Sequence, residues 1–143
     1  MTLNHEQRCR RVRERAEELL AWQDRERLEL DRWTFDDAPL AIGHPWPRRN
    51  GSIPIQHPEV GVPPAWPLED ARLDLDLGGE GLVRLRYDDG SVAAFGLDPN
   101  HRIFPITHRR FGVAAECVAR LPFGVPNREA RIGHARLVWR EPA

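Results

Sequence analysis

Ala71-Arg72-Leu73-Asp74-Leu75-Asp76-Leu77 and, a few residues on, Val83-Arg84-Leu85-Arg86-Tyr87 alternate apolar and charged side chains residue by residue. A period of two puts every second side chain on one face of an extended chain. Each run therefore predicts a strand with one buried and one solvated face. Asp88-Asp89-Gly90 follows at once, and Asp-Gly tolerates the positive φ of a tight hairpin, so the chain turns back there. Val92, Ala94 and Gly96 extend the inward series, and Ile103–Thr107 reads as a shorter strand. Phe111, Val113, Ala115, Cys117, Ala119 and Leu121 form a long alternating series, with Ala135, Leu137 and Trp139 as the last. No helical period intervenes after residue 71, which argues against a parallel α/β sheet. The prediction is a mainly β fold, an antiparallel β-sandwich of the jelly-roll, galactose-binding-domain-like kind.

Upstream the texture changes twice. Trp33–Pro67 is dense in proline (Pro39, Pro45, Pro47, Pro54, Pro58, Pro63, Pro64, Pro67), which neither donates to a ladder nor continues a helix. Yet Trp33, Phe35, Ile42, Trp46, Ile53, Ile55, Val60, Val62 and Trp66 are core-type residues. A long ordered loop over the core, with short strands at its edges, is expected. From His5 to Leu30 there is no Pro or Gly, and Cys9, Val12, Ala16, Leu19, Gln23, Glu26 and Leu30 recur at helical steps, with Leu20 and Leu28 widening the stripe. Asn4 with Gln7 predicts a capping box. The expected organisation is one long N-terminal α-helix in residues 1–32, docking by a narrow seam, and a sandwich in residues 33–143.

Composition bounds the function. The net charge of −1 offers no basic excess for nucleic acid or anionic lipid, and no apolar run approaches the roughly 20 residues of a membrane span. Residues 1–15 lack the apolar stretch of a secretion signal, which points to a cytoplasmic protein and to two free thiols, Cys9 and Cys117. All 21 basic side chains are arginine, suited to planar pairing with carboxylates.

The chemistry-bearing residues do not assemble into a motif. No Gly-x-Ser-x-Gly elbow occurs, and Ser52 and Ser91 sit in turn contexts. Cys117 belongs to an inward series, so it reads as buried and inert; Cys9, beside Arg8 and Arg10, reads as a seam residue. His5, His44, His57, His101, His108 and His134 show no metal-ligand spacing. Asp74 and Asp76 fall on the solvated strand face, and Gly78-Gly79-Glu80-Gly81 joins strand to strand without the Lys and helix of a phosphate loop. Neither catalytic nor metal-binding residues are assigned. Trp46 and Trp66 could stack on a pyranose with Asp98 and His101 beside them; the competing reading is that both rings cover the core.

One longer pattern exceeds these pieces. Val62-Pro63-Pro64-Ala65-Trp66-Pro67, Leu73-Asp74-Leu75-Asp76-Leu77, Gly79-Glu80-Gly81-Leu82-Val83, Asp89-Gly90 and Gly96-Leu97-Asp98-Pro99-Asn100-His101 follow in that order. Together with Glu116–Ala119, Phe123-Gly124, Ala135–Val138 and the Arg-rich helix leading to Trp33, this resembles the region upstream of the catalytic domain in alpha-mannosidases of glycoside hydrolase family 38. The match is poorer at Pro47–His57. The resemblance implies a non-catalytic structural and assembly domain, packed on the catalytic domain of the same polypeptide and contributing to homo-oligomer formation. It implies no cofactor in this chain, since the family's divalent metal, usually zinc, belongs to the following domain. The alternative is a stand-alone carbohydrate-binding module that takes mannose-containing sugars through Trp46, Trp66, Asp98 and His101. Asp98 is expected to close an Asx-type turn that fixes the loop to His101.

Overall fold

The computed structural model describes residues 4–141, with the side chains of residues 15–23 and 122 excepted. Helix α1 (His5–Gln23) opens with the expected capping box: Gln7 N donates to Asn4 Oδ1 at 2.8 Å, and Asn4 N donates to Gln7 Oε1 at 3.1 Å. Its described side chains, including Cys9 and Val12, are exposed. The seam residues Ala16, Leu19 and Leu20 lie outside the described side chains.

The helix ends at Gln23 and not near Leu30. Asp24–Glu29 is instead strand β1, paired antiparallel with the last strand, β10 (His134–Arg140). The change of state is a tertiary override of helix propensity. β10 offers an open ladder, and ionic contacts across it favour the extended form: Arg140 Nε lies 2.9 Å from Asp24, Arg25 lies 2.8 Å from Glu141, and the Arg25 guanidinium sits 4.5 Å above the Trp139 ring. The sandwich therefore begins at Asp24, inside the segment expected to be helical.

The remaining strands are β2 (Thr34–Phe35), β3 (Ala38–Pro39), β4 (Ile53–Gly61), β5 (Ala71–Asp76), β6 (Glu80–Tyr87), β7 (Val92–Leu97), β8 (Ile103–Pro105) and β9 (Arg110–Val118). They form two antiparallel sheets packed face to face, β1-β10-β5-β8 and β3-β2-β4-β9-β6-β7. Leu73, Leu75, Leu137 and Ala135 from the first meet Ile53, Ile55, Val83, Leu85, Val113 and Cys117 from the second in one buried cluster. The core-type residues of the proline-dense stretch join it, with Ile42 partly buried at its margin.

Two further departures have local causes. β4 runs nine residues through Pro54 and Pro58, where mostly irregular chain was expected. Pro54 O accepts from Asp36 N just past the end of two-residue β2, so the donor that proline lacks falls outside that ladder; Pro58 lies in the register shift between His57 and Val60. In β7 it is Ala93, Phe95 and Leu97 that face inward, not Val92, Ala94 and Gly96. Tyr87 N bonds Ser91 O across a three-residue turn with Gly90 at φ 88°, so Leu85 pairs with Ala93 and Val83 with Phe95. Paired residues share a face, and the apolar parity shifts by one. The β9 series also ends early, with Leu121 exposed.

Candidate functional site

A small, partly enclosed concavity lies at one end of the sandwich and holds about 160 Å³. Three segments build it: Leu75–Gly79 leaving β5, Leu97–Arg102 joining β7 to β8, and Arg120–Asn127 after β9. Their convergence depends on close backbone approach. A side chain on Gly79 would overlap the carbonyl of Val118 and crowd the Trp46 ring at 3.0 Å. Asp76 Oδ1 accepts from Gly78 N at 3.1 Å, and Asn127 Nδ2 donates to Gly78 O at 2.8 Å.

Asp98 closes the expected Asx-type turn. Its Oδ1 accepts from Asn100 N at 2.7 Å and His101 N at 2.9 Å, and its Oδ2 lies 2.9 Å from His101 Nδ1. The His101 ring contact, then the Asn100 amide, hold the Asp98 carboxyl below its ordinary pKa. Asp76, Asp98 and Asn127 thus spend their polar atoms on shaping the rim. Arg102 and Arg120 also line the cleft, and their guanidinium groups donate no hydrogen bond among the described residues. Their planar forks suit a carboxylate.

Of the four residues considered for sugar, the structure does not bring the tryptophans to this rim as faces. Trp46 is 5% exposed, donates Nε1 to Leu77 O at 3.0 Å, and packs on Phe35 with ring centroids 5.5 Å apart. Trp66 is 1% exposed, donates Nε1 to Glu26 Oε2 at 2.6 Å, and packs on Trp139. Its loop is clamped by Arg109, which donates to Pro63 O and Trp66 O at 2.9 and 2.8 Å. Both rings cover the core, and no stacking face remains for a pyranose in this conformation. Asp98 and His101 are at the surface, joined to each other.

Asp74 is likewise engaged. Burial raises the Asp74 carboxyl, but the His134 hydrogen bond at 2.8 Å and nearby His134, Arg136 and Arg102 charges outweigh it and lower the pKa. Burial, and secondarily Glu116, pushes the Cys117 thiol up to about 12, as an inert core cysteine requires. One constellation was missed from sequence. Thr107 Oγ1 lies 2.9 Å from His108 Nδ1, and His108 Nε2 lies 2.9 Å from Asp89 Oδ2. A hydroxyl–imidazole–carboxylate chain is the order used in nucleophilic catalysis. Here Thr107 is exposed, Asp89 is shared with the Ser91 hydroxyl at 2.6 Å, and none of the three lines the cleft. It fastens the Asp88–Gly90 turn to the β8–β9 connection. Adjacent Thr-His in a turn was its only sequence signal.

No family model matches the chain, and neither a curated protein nor a solved structure does.

Proposed function

We propose that this chain is a non-catalytic assembly module that works by packing against protein surfaces, in its fuller context the N-terminal domain of an alpha-mannosidase of glycoside hydrolase family 38. The observation that carries the non-catalytic reading is the chemistry of the cleft: its carboxylates and amide hold turns together, and the polar side chains left without a hydrogen bond among the described residues are two arginines at the rim. Such a rim suits acidic side chains of a neighbouring protein better than it suits bond cleavage.

The topology supports a jelly roll. Leaving aside the β2–β3 hairpin, the sheets read β1-β10-β5-β8 and β4-β9-β6-β7, and the chain crosses between them in the manner of two interleaved Greek keys. The mannosidase context is supported by the order of the sequence motifs alone. The fold gives several of those motifs structural work: Val62 and Trp66 are core, Gly79 permits close approach, and Asp98 closes a turn.

The test has two arms. The chain alone, with and without added zinc, is assayed on an aryl alpha-mannoside; the expectation is no turnover. Turnover abolished by Thr107→Val or His108→Ala overturns the non-catalytic reading. Co-expression with an alpha-mannosidase catalytic domain should give a stable complex weakened by Arg120→Glu; absence of any complex removes the mannosidase context.

A further inference from the structure

The two sheets have four edges, and three are protected. β1 (Asp24–Glu29) carries five charged residues among its six, β3 is the dipeptide Ala38-Pro39, and β8 is three residues ending in Pro105. Charge, proline and shortness are the devices that keep an open edge from pairing with another chain. The fourth edge, β7, has none of them. Val92-Ala93-Ala94-Phe95-Gly96-Leu97 is six residues long without a charge or a proline.

The outward groups of β7 follow from its ladder. Tyr87 N bonds Ser91 O, so the bonded pairs with β6 fall at Ser91, Ala93, Phe95 and Leu97. The N–H and C=O groups of Val92, Ala94 and Gly96 then point away from the sheet. They make no hydrogen bond among the described residues.

We propose that β7 is a homodimer interface, in which two copies pair their β7 strands antiparallel about a two-fold axis through Ala94. This register is self-complementary. Val92 faces Gly96 of the second copy, Ala94 faces Ala94, and Gly96 faces Val92, so the three outward residues of each copy pair completely. All six donors and acceptors per strand set find partners, and the two sheets fuse into one. The side chains meeting on the outer face are small. On the inner face, half-buried Phe95, already stacked on Phe104 at 5.1 Å, gains the partner copy's Ala93 as cover. The antiparallel sense also sets the acidic Asp88-Asp89 turn of one copy toward the end where the other carries His101 and Arg102. A parallel pairing would oppose like turns. Arg84, beside Ala94 on β6, is three strand spacings from its symmetry mate, about 14 Å, beyond the screening length at physiological salt. A six-residue edge is a small contact, so the dimer dissociates on dilution.

The proposal stands apart from the mannosidase context, and its test is the mass in solution. Sedimentation or light scattering of the chain at rising concentration should show the 16.5 kDa monomer giving way to a species of twice that mass. Ala94→Lys places two like charges at the axis on an exposed face and should hold the mass at monomer. Ala94→Pro, which removes only an outward donor, should do the same. An equimolar mixture of Ala94→Lys and Ala94→Glu should recover the dimer, whereas Leu28→Lys on the opposite edge should leave it intact. Circular dichroism and melting confirm that each variant is folded. A wild-type chain that stays monomeric at millimolar concentration, or a folded Ala94→Lys chain that dimerises as wild type does, overturns the proposal.

Discussion

Replacing Trp66 separates a core side chain from a ligand platform. The ring is 1% exposed, against Trp139, with Nε1 on Glu26. A buried tryptophan removes about 150–250 Å² from water. At about 25 cal/mol per Å² that is about 4–6 kcal/mol, an upper figure because the unfolded chain already hides part of the area. Trp66→Ala should therefore cost about 3–5 kcal/mol, a large share of a stability of about 5–15 kcal/mol. With a urea slope near 2 kcal/mol per molar, a loss of about 4 kcal/mol lowers the midpoint by about 2 M. Trp66→Phe retains most of the packing and loses the charge-assisted bond, about 1–2 kcal/mol, since exposed Glu26 regains water. Glu26→Ala leaves the indole N–H buried without its acceptor, at about 1–3 kcal/mol. The two changes share one bond, so the Glu26→Ala/Trp66→Phe pair should cost less than their sum by at least about 0.5 kcal/mol. Urea unfolding followed by far-ultraviolet circular dichroism measures all four chains. A Trp66→Ala loss below about 1 kcal/mol, within the range of a surface substitution, would refute the packing argument. Mannose-induced fluorescence change that vanishes in Trp66→Ala would return the ring to ligand binding.

Three shorter predictions test other parts of the fold. His57 is 4% exposed, edge-on to Trp33 with centroids 5.1 Å apart, and its Nδ1 has no hydrogen-bond partner among the described residues; burial, then Arg32, lower its pKa against the opposing pull of Asp31. Its folded state favours the neutral ring, so its contribution to stability is present above the ordinary 6.5 and is lost as pH falls through the folded value; His57→Phe should flatten the dependence of unfolding free energy on pH across that window. Iodoacetamide at mildly alkaline pH should add one adduct by intact mass, at exposed Cys9, and leave Cys117 unmodified until the chain unfolds; rapid double labelling of folded protein would contradict the buried thiol. Gly79→Ala drives a methyl into the Val118 carbonyl and should cost at least about 1–3 kcal/mol, whereas Gly61→Ala, with open space, should be far milder; equal melting shifts would count against the close approach.

The legible part of this fold is the part whose burial alternates. β5, β6 and β9 each bury every second side chain, and that record survives in the sequence. β1 buries almost nothing, so there is no alternation to read, while its Arg and Glu spacing imitates a helix; its structure comes from β10 and the ionic contacts between them. β4 was masked by Pro54 and Pro58, which are tolerated only because one faces a two-residue neighbour and the other a bulge. The Asp98 turn was legible because an Asx turn is written in four consecutive residues. The cleft was not, because its three segments lie far apart in the chain and meet only after both sheets have formed.

These contrasts share a physical origin. A β-sandwich closes its core between two sheets, but it cannot remove its edges, so each edge must be covered, charged, shortened or paired. In this chain the charged edge is the very segment that imitates a helix: the residues that obscured β1 in the sequence are those that keep it from pairing. β7 is the reverse case. Its apolar, uncharged residues read as a strand, but their parity is not legible because the strand carries nothing on its outer face to mark it as solvated. Val92, Ala94 and Gly96 look like core residues while facing out. That mismatch between composition and exposure is what an association edge requires, and it explains why the strand hardest to orient from sequence is also the one left open for a second copy.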